Sequence, residues 1–191
     1  MNEQTKARNR RTQDSRFRDR FFVGEGIDVG SGDDPLLPSI LYPNIAGVRA
    51  WDLPQGDAQY MTGVEDSTYD FLHSSHCLEH TRDPIVALKN WIRITKPGGF
   101  LVVTVPDELL YESGAWPSRY NPDHKHSFTL RAEPVIPRSM NLAWALWRLP
   151  VEIELLQLVT CAWDPEKIGE DQTLGPAECS IEFVARVVKK S

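Results

Sequence analysis

A short apolar run, Ile27-Asp28-Val29, leads into Gly30-Ser31-Gly32. Glycines at such a point let the backbone turn sharply and pass close to a ligand where a Cβ would clash. Twenty positions after Gly32, Asp52 ends a second apolar run, Val48-Arg49-Ala50-Trp51. A carboxylate there can accept both hydroxyls of a ribose. Asp33, Asp34 and Pro35 follow the turn directly, where a dinucleotide fingerprint would carry its third glycine. Two acids at that turn repel a pyrophosphate. The pattern suits a ligand with a ribose and no phosphate. Gln55-Gly56-Asp57-Ala58 comes next. Asp57 can accept from an exocyclic amine and Ala58 leaves room for a flat ring; read locally, the same residues are a turn with a helix cap.

These residues need elements to hold them. Gly26–Val29, Val48–Trp51 and Tyr69–His73 read as strands. Asp83–Thr95 has the apolar spacing of a helix, opened by Asp83-Pro84 and stopped by Lys96-Pro97-Gly98-Gly99. Phe100–Val105 is a continuous apolar run, as in a parallel strand buried on both faces. Residues 112–138 read as a long loop, Ser139–Leu149 as a short helix, and Val151–Val159 and Ile181–Val188 as closing strands. Strands alternating with helices indicate an α/β protein with a mostly parallel sheet, whose ligands sit beyond the carboxyl ends of the strands. The candidate residues fall there.

The chain has 191 residues, 41% apolar and 25% charged, with a net charge of −6. One soluble domain of this acidity argues against a nucleic-acid-binding module. No apolar run approaches the ~18 residues of a membrane span, and the start, MNEQTKARNRR, lacks the apolar stretch of a signal peptide. Cys77, Cys161 and Cys179 show no CxxC spacing, so a disulfide scaffold is not expected and a cytoplasmic protein is. The charge is uneven. Residues 1–20 hold seven Lys or Arg against three acids, and the other 171 residues carry −10. The expected organisation is a flexible basic arm over 1–20 and one domain over 21–191, with 108–150 as an acceptor-binding loop or lid.

In order along the chain, DVGSG, Asp52, GDA, YDFLHSSHCLEH and KPGGFLVVTVP resemble a class I S-adenosylmethionine-dependent methyltransferase. The nearest likeness is to small-molecule enzymes with a LEH signature after strand four. The resemblance implies a Rossmann-like three-layer sandwich with a doubly wound, mostly parallel sheet that ends in an antiparallel hairpin. It implies S-adenosyl-L-methionine as cofactor, with Asp28, Gly30, Ser31 and Gly32 at its methionine end. Asp52 would hold the ribose hydroxyls, Asp57 and Ala58 would meet the adenine, and Ser75 and His76 would lie beside the sulfonium. Residues 33–47 contain Pro35 and Pro38, so the first helix is expected to be reduced. Leu53–Gly56 leaves no room for the usual helix and third strand.

An alcohol acceptor needs a base near its proton. His124 and His126, in the polar loop Arg119–Phe128, are the first candidates, with His76; His80 is expected to buttress the turn. Tyr111, Trp116 and Tyr120 are candidates to stack on an acceptor ring or sugar face, or else to pack the lid. Asp123, His124 and His126 with His76 or His80 make a conceivable cation ligand set, but the spacing is poor for zinc and no metal is expected. Trp144 and Trp147 suit a core or a dimer seam. The expected reaction is methyl transfer to a small polar acceptor, through an oxygen of a sugar or glycoconjugate, by a monomer or homodimer. The rivals are an RNA methyltransferase anchored by the basic arm and a non-catalytic cofactor-fold subunit.

Overall fold

The computed structural model describes residues 3–149, 153–161, 166 and 177–188. One sheet has six strands: β1 (Gly24–Val29), β2 (Ile45–Trp51), β3 (Tyr69–Ser75), β4 (Thr95–Pro106), β7 (Ile153–Thr160) and β8 (Ser180–Val187). Their order is β2-β1-β3-β4-β8-β7. The first four are mutually parallel, and β8 and β7 close the sheet as an antiparallel hairpin. Two short strands, β5 (Ser127–Thr129) and β6 (Ser139–Asn141), pair separately in parallel. Among the described residues, 33–44 hold no helix and 52–68 no strand, as the two prolines and the short spacing predict.

Strand alternation divides the core into two layers. Ile27, Val29, Leu72, Leu101, Val103, Phe183 and Ala185 face α2 (Pro84–Ile94), through Ala87, Leu88, Trp91 and Ile92. This helix begins where Asp83 accepts from the amides of Ile85 and Val86, with Pro84 at a position that needs no N–H. The opposite face carries Phe71, Val102 and Val184. With no helix between β1 and β2 to cover it, that face is packed by Phe17, Phe21 and Phe22, with Leu36 and Tyr42. Each fully buried phenylalanine contributes about 1.5–3 kcal/mol of transfer free energy.

This corrects the expected flexible arm. Residues Glu3–Arg11 form α1, and a single π-helical turn follows at Phe17–Phe21. Charge complementarity holds them down. Arg10 pairs with Glu178 and Glu182 of the acidic body, and Arg11 with Glu182. Lys6 pairs with Glu3, Arg16 with Asp14, and Arg18 with Asp19. Arg20 lies over the Phe21 and Phe100 rings. Most of the basic charge therefore has a partner inside the molecule.

Two late elements also differ from the sequence reading. Ser139–Asn141 is β6, and the helix α3 (Leu142–Trp147) begins only after Asn141, whose side chain caps it. Val151, expected to open a closing strand, lies outside the described residues.

Candidate active site

The carboxyl ends of β1, β2, β3 and β4 meet at one edge, where two clefts adjoin. The first, about 360 Å³, is walled by the glycine turn, by Ser75 and His76 after β3, and by Glu3 and Gln4 of α1. The second, about 520 Å³, runs past Asp52, Asp57, Ala58, His80, Asp123 and Lys125. Gly30 and His76 line both.

The glycine turn is clamped to the end of β2. Gly30 N donates to the Trp51 carbonyl at 2.8 Å and Gly32 N to the Asp52 carboxylate at 2.9 Å. Gly30 has φ +74°, and a Cβ on it would lie 2.4 Å from Cys77 Cβ, so both the conformation and the space require glycine. Asp52 also accepts from Leu53 N at 2.8 Å; its four lone-pair sites leave room for a ligand. Asp57 is exposed and accepts from Gln59 N.

Asp28 lines the first cleft, but its carboxylate is committed inward. One oxygen meets His73 Nδ1 at 2.6 Å and the other accepts from Leu36 N at 2.7 Å. His73 Nε2 meets Arg11, which also donates to Thr104 and Glu182. Asp28 thus organises the turn from beneath. Asp34 anchors the start of α1, accepting from Thr5 N at 2.8 Å and Thr5 Oγ1 at 2.7 Å. Three polar atoms of this cleft's lining residues are buried without a hydrogen-bond partner: Glu3 Oε2, Gln4 Oε1 and Ser75 Oγ. Buried polar groups normally have partners, so these atoms are free to accept from a ligand or a water. Sequence spacing missed Glu3 and Gln4, because only the docking of α1 brings them to the turn.

His76 adopts φ +53°, a strained conformation for a residue with a Cβ. Its Nε2 lies 2.8 Å from Ser180 Oγ and its Nδ1 faces Glu79 Oε1 at 3.6 Å. Burial pushes its pKa down to about 3, so the ring is neutral. His124 is buried behind it, with Nδ1 2.6 Å from Glu112. His126 Nε2 meets the Arg82 carbonyl at 3.2 Å. Neither ring is among the linings of the two clefts. Tyr111 lies against both His76 and His124, with centroids 5.4 Å apart in each case, and edge-on to Tyr120. Trp116 is half-buried and outside both linings.

Segment 108–138 is closed on itself and bonded to the turn after β3. Glu108 accepts from the amides of Val135 and Ile136, both at 3.0 Å. Lys125 N and His126 N both donate to the Glu79 carbonyl.

Residues 1–159 match the sequence profile of a family described as "Methyltransferase domain". The chain belongs to this methyltransferase-domain family. An uncharacterized methyltransferase of Schizosaccharomyces pombe is 33% identical over 64 residues, 34% of this chain; the match spans 22% of that relative's length. A solved structure of the N-methyltransferase NodS from Bradyrhizobium japonicum, in complex with S-adenosyl-L-homocysteine, aligns with a TM-score of 0.54 at 13% identity. That alignment covers 96% of this chain and 88% of NodS. A SAM-dependent methyltransferase from Archaeoglobus fulgidus aligns with a TM-score of 0.54 at 17% identity, covering 96% and 93%. A Haloferax volcanii protein solved in complex with the Trm112 methyltransferase activator aligns with a TM-score of 0.55 at 13% identity, covering 98% and 94%. At these identities the likeness is one of fold.

The fold of this methyltransferase-domain chain is the Rossmann-like one, built with six sheet strands among the described residues. The cofactor of the fold is S-adenosyl-L-methionine, and the site suits it. An acidic turn, the Asp52 carboxylate and the unpaired acceptors of Glu3 and Gln4 are groups able to accept from its hydroxyls and ammonium. No helix among the described residues is long and apolar enough to cross a membrane.

Proposed function

We propose that this chain transfers the methyl group of S-adenosyl-L-methionine to an oxygen of a small polar acceptor, of the sugar or glycoconjugate class. The observation that carries the reading is the meeting of the two clefts at His76. One is suited to the methionine end of the cofactor and the other to its nucleoside. When bound, the cofactor supplies a methyl carbon activated by a positive sulfur. The protein's part is then chiefly positioning.

In this reading Glu3 Oε2 and Gln4 Oε1 accept from the cofactor's ammonium group, and Asp52 accepts from the ribose hydroxyls. Asp57 and Ala58 border the adenine. Ser75 and His76 stand beside the sulfonium, with Tyr111 and Tyr120 on the acceptor side. Of the three histidines considered as bases, only His76 lines the clefts, and with Nε2 on Ser180 and Nδ1 turned to Glu79 its part is positioning rather than proton removal. Ser180 Oγ donates to the Glu178 carbonyl, so it can only accept from His76 Nε2–H. The lone pair of His76 is therefore on Nδ1. The internal pairing of the basic arm removes the main support for an RNA acceptor.

Calorimetric titration with S-adenosyl-L-methionine is the first test, and absence of binding by the intact protein would end the reading. Label transfer from methyl-labelled cofactor to a panel of sugars, glycolipid headgroups, amines and RNA then tests the acceptor class. Incorporation confined to amines or RNA would overturn the sugar-oxygen assignment.

A further inference from the structure

Behind the clefts, Glu79 is fully buried and neither of its carboxylate oxygens has a hydrogen-bond partner. Three imidazoles surround it. His76 Nδ1 lies 3.6 Å from Glu79 Oε1, His124 Nε2 3.8 Å and His80 Nε2 4.0 Å. All three exceed hydrogen-bond length.

The outward nitrogens decide which atoms carry protons. His80 Nδ1 meets Asp123 at 2.9 Å and His124 Nδ1 meets Glu112 at 2.6 Å. Ionised carboxylates only accept, so both rings donate from Nδ1. Their Nε2 atoms point inward, toward Glu79. His76 has its lone pair on Nδ1, also inward. The unpaired carboxyl group of Glu79 and three imidazole nitrogens converge on one buried spot. Buried polar groups left without partners mark a place that an ion, a proton or a water completes. Histidine with a carboxylate behind it is also the usual arrangement of a metal-ligating imidazole, because the outer partner fixes the tautomer and the ring.

We infer that Glu79, His80 and His124 form a binding site for one borderline divalent cation of the zinc type, with its open position toward His76 and the cleft. Their ligand atoms all lie within 4.8 Å of one another. A tetrahedral site with ~2.0–2.1 Å bonds needs separations of about 3.3 Å, a contraction within reach of small side-chain movements. Two nitrogens and one oxygen favour zinc, cobalt or ferrous iron over magnesium or calcium. The set differs from the one that spacing suggests: Asp123 stands behind His80, and His126 is turned to Arg82. Because the site adjoins His76, the ion would hold an acceptor oxygen. That last step rests on the methyl-transfer reading; metal binding itself does not.

The test is titration of the apo protein with Co2+, followed by visible absorption, and with Zn2+ in competition with a chromophoric chelator. The expected result is one ion per chain. Glu79→Gln and the part-exposed His80→Ala should each weaken binding at least ~100-fold, and Glu112→Gln about 10–100-fold with cofactor affinity unchanged. Failure of the wild type to take up either ion would overturn the inference, and so would wild-type affinity in Glu79→Gln. A proton held by Glu79 in place of a metal predicts no uptake together with an equally or more stable Glu79→Gln. Lost cofactor binding with intact ion uptake would overturn the methyl-transfer reading alone.

Discussion

Arg11, in the first helix, donates to Glu182, in the last strand, at 2.8 Å across 171 positions of sequence. Both side chains are fully buried. The same guanidinium reaches His73 and Thr104, and His73 reaches Asp28 beneath the glycine turn. The first and last elements among the described residues are thus joined under the first cleft by one polar network.

Breaking this pair should be costly. Removing one partner strands a buried charge, at about 3–5 kcal/mol. For a domain of this size that corresponds to a melting temperature about 6–20 °C lower. Glu182→Ala and Arg11→Met should both show it by calorimetry. Arg11→Lys should rescue little, because an ammonium cannot serve Glu182, His73 and Thr104 as a fork does. A change under about 2 °C would mean the network contributes nothing to stability.

Acid should weaken the same pair. Burial alone would push the Glu182 pKa up, but Arg11 and Arg10 outweigh it and hold the group down, from 4.5 to about 2. A lowered folded pKa contributes stability that is complete above the ordinary range. It is lost as pH falls from roughly 5 to 2, in total about 3 kcal/mol. Burial raises Glu3 and Asp107, which slope the opposite way. The readout is therefore the difference in urea midpoint between wild type and an Arg11→Met/Glu182→Gln variant. That difference should shrink from pH 6 to pH 3; a constant one would refute the assignment.

Asp52→Ala should lower affinity for S-adenosyl-L-methionine at least ~100-fold, since two hydrogen bonds to a carboxylate are worth about 1.5–3 kcal/mol each. Asp52→Asn should fall between. The loss has a second source, because Gly32 N gives up its acceptor and the turn loosens. Unchanged affinity by calorimetry would remove Asp52 from the ribose site.

Deleting residues 1–20 should destabilise the whole domain. It removes Phe17 from the layer over Phe71, Val102 and Val184 and leaves Glu182 without its arginines. Strong binding of a hydrophobic dye and loss of cooperative melting are the expected signatures. A truncated chain that melts like the full one would restore the picture of a free arm.

Much of the sheet was legible because its signals are local. The run Leu101–Val105 alternates between two buried layers, Asp83-Pro84 starts α2, and Pro35 and Pro38 exclude a first helix. The glycine turn and Asp52 were legible for the same reason, since both must follow directly on strands. The arm misled because its composition is polar. Lys6 and Arg11 read as solvated until Glu3 and Glu182 are seen beside them.

The sequence alone determined the α/β class, the carboxyl ends of β1 and β2 and the acidic turn, because propensity, spacing and turn chemistry act over a few residues. Only the tertiary structure decided what α1 does, which histidine reaches the clefts and which groups surround Glu79. Those depend on where separate segments dock. Loop 123–126 is bonded to the Glu79 backbone 46 and 47 positions away, which turns His124 inward and His126 aside. Such pairings arise from complementary charge and buried area across the folded chain, and no short window of sequence contains both partners.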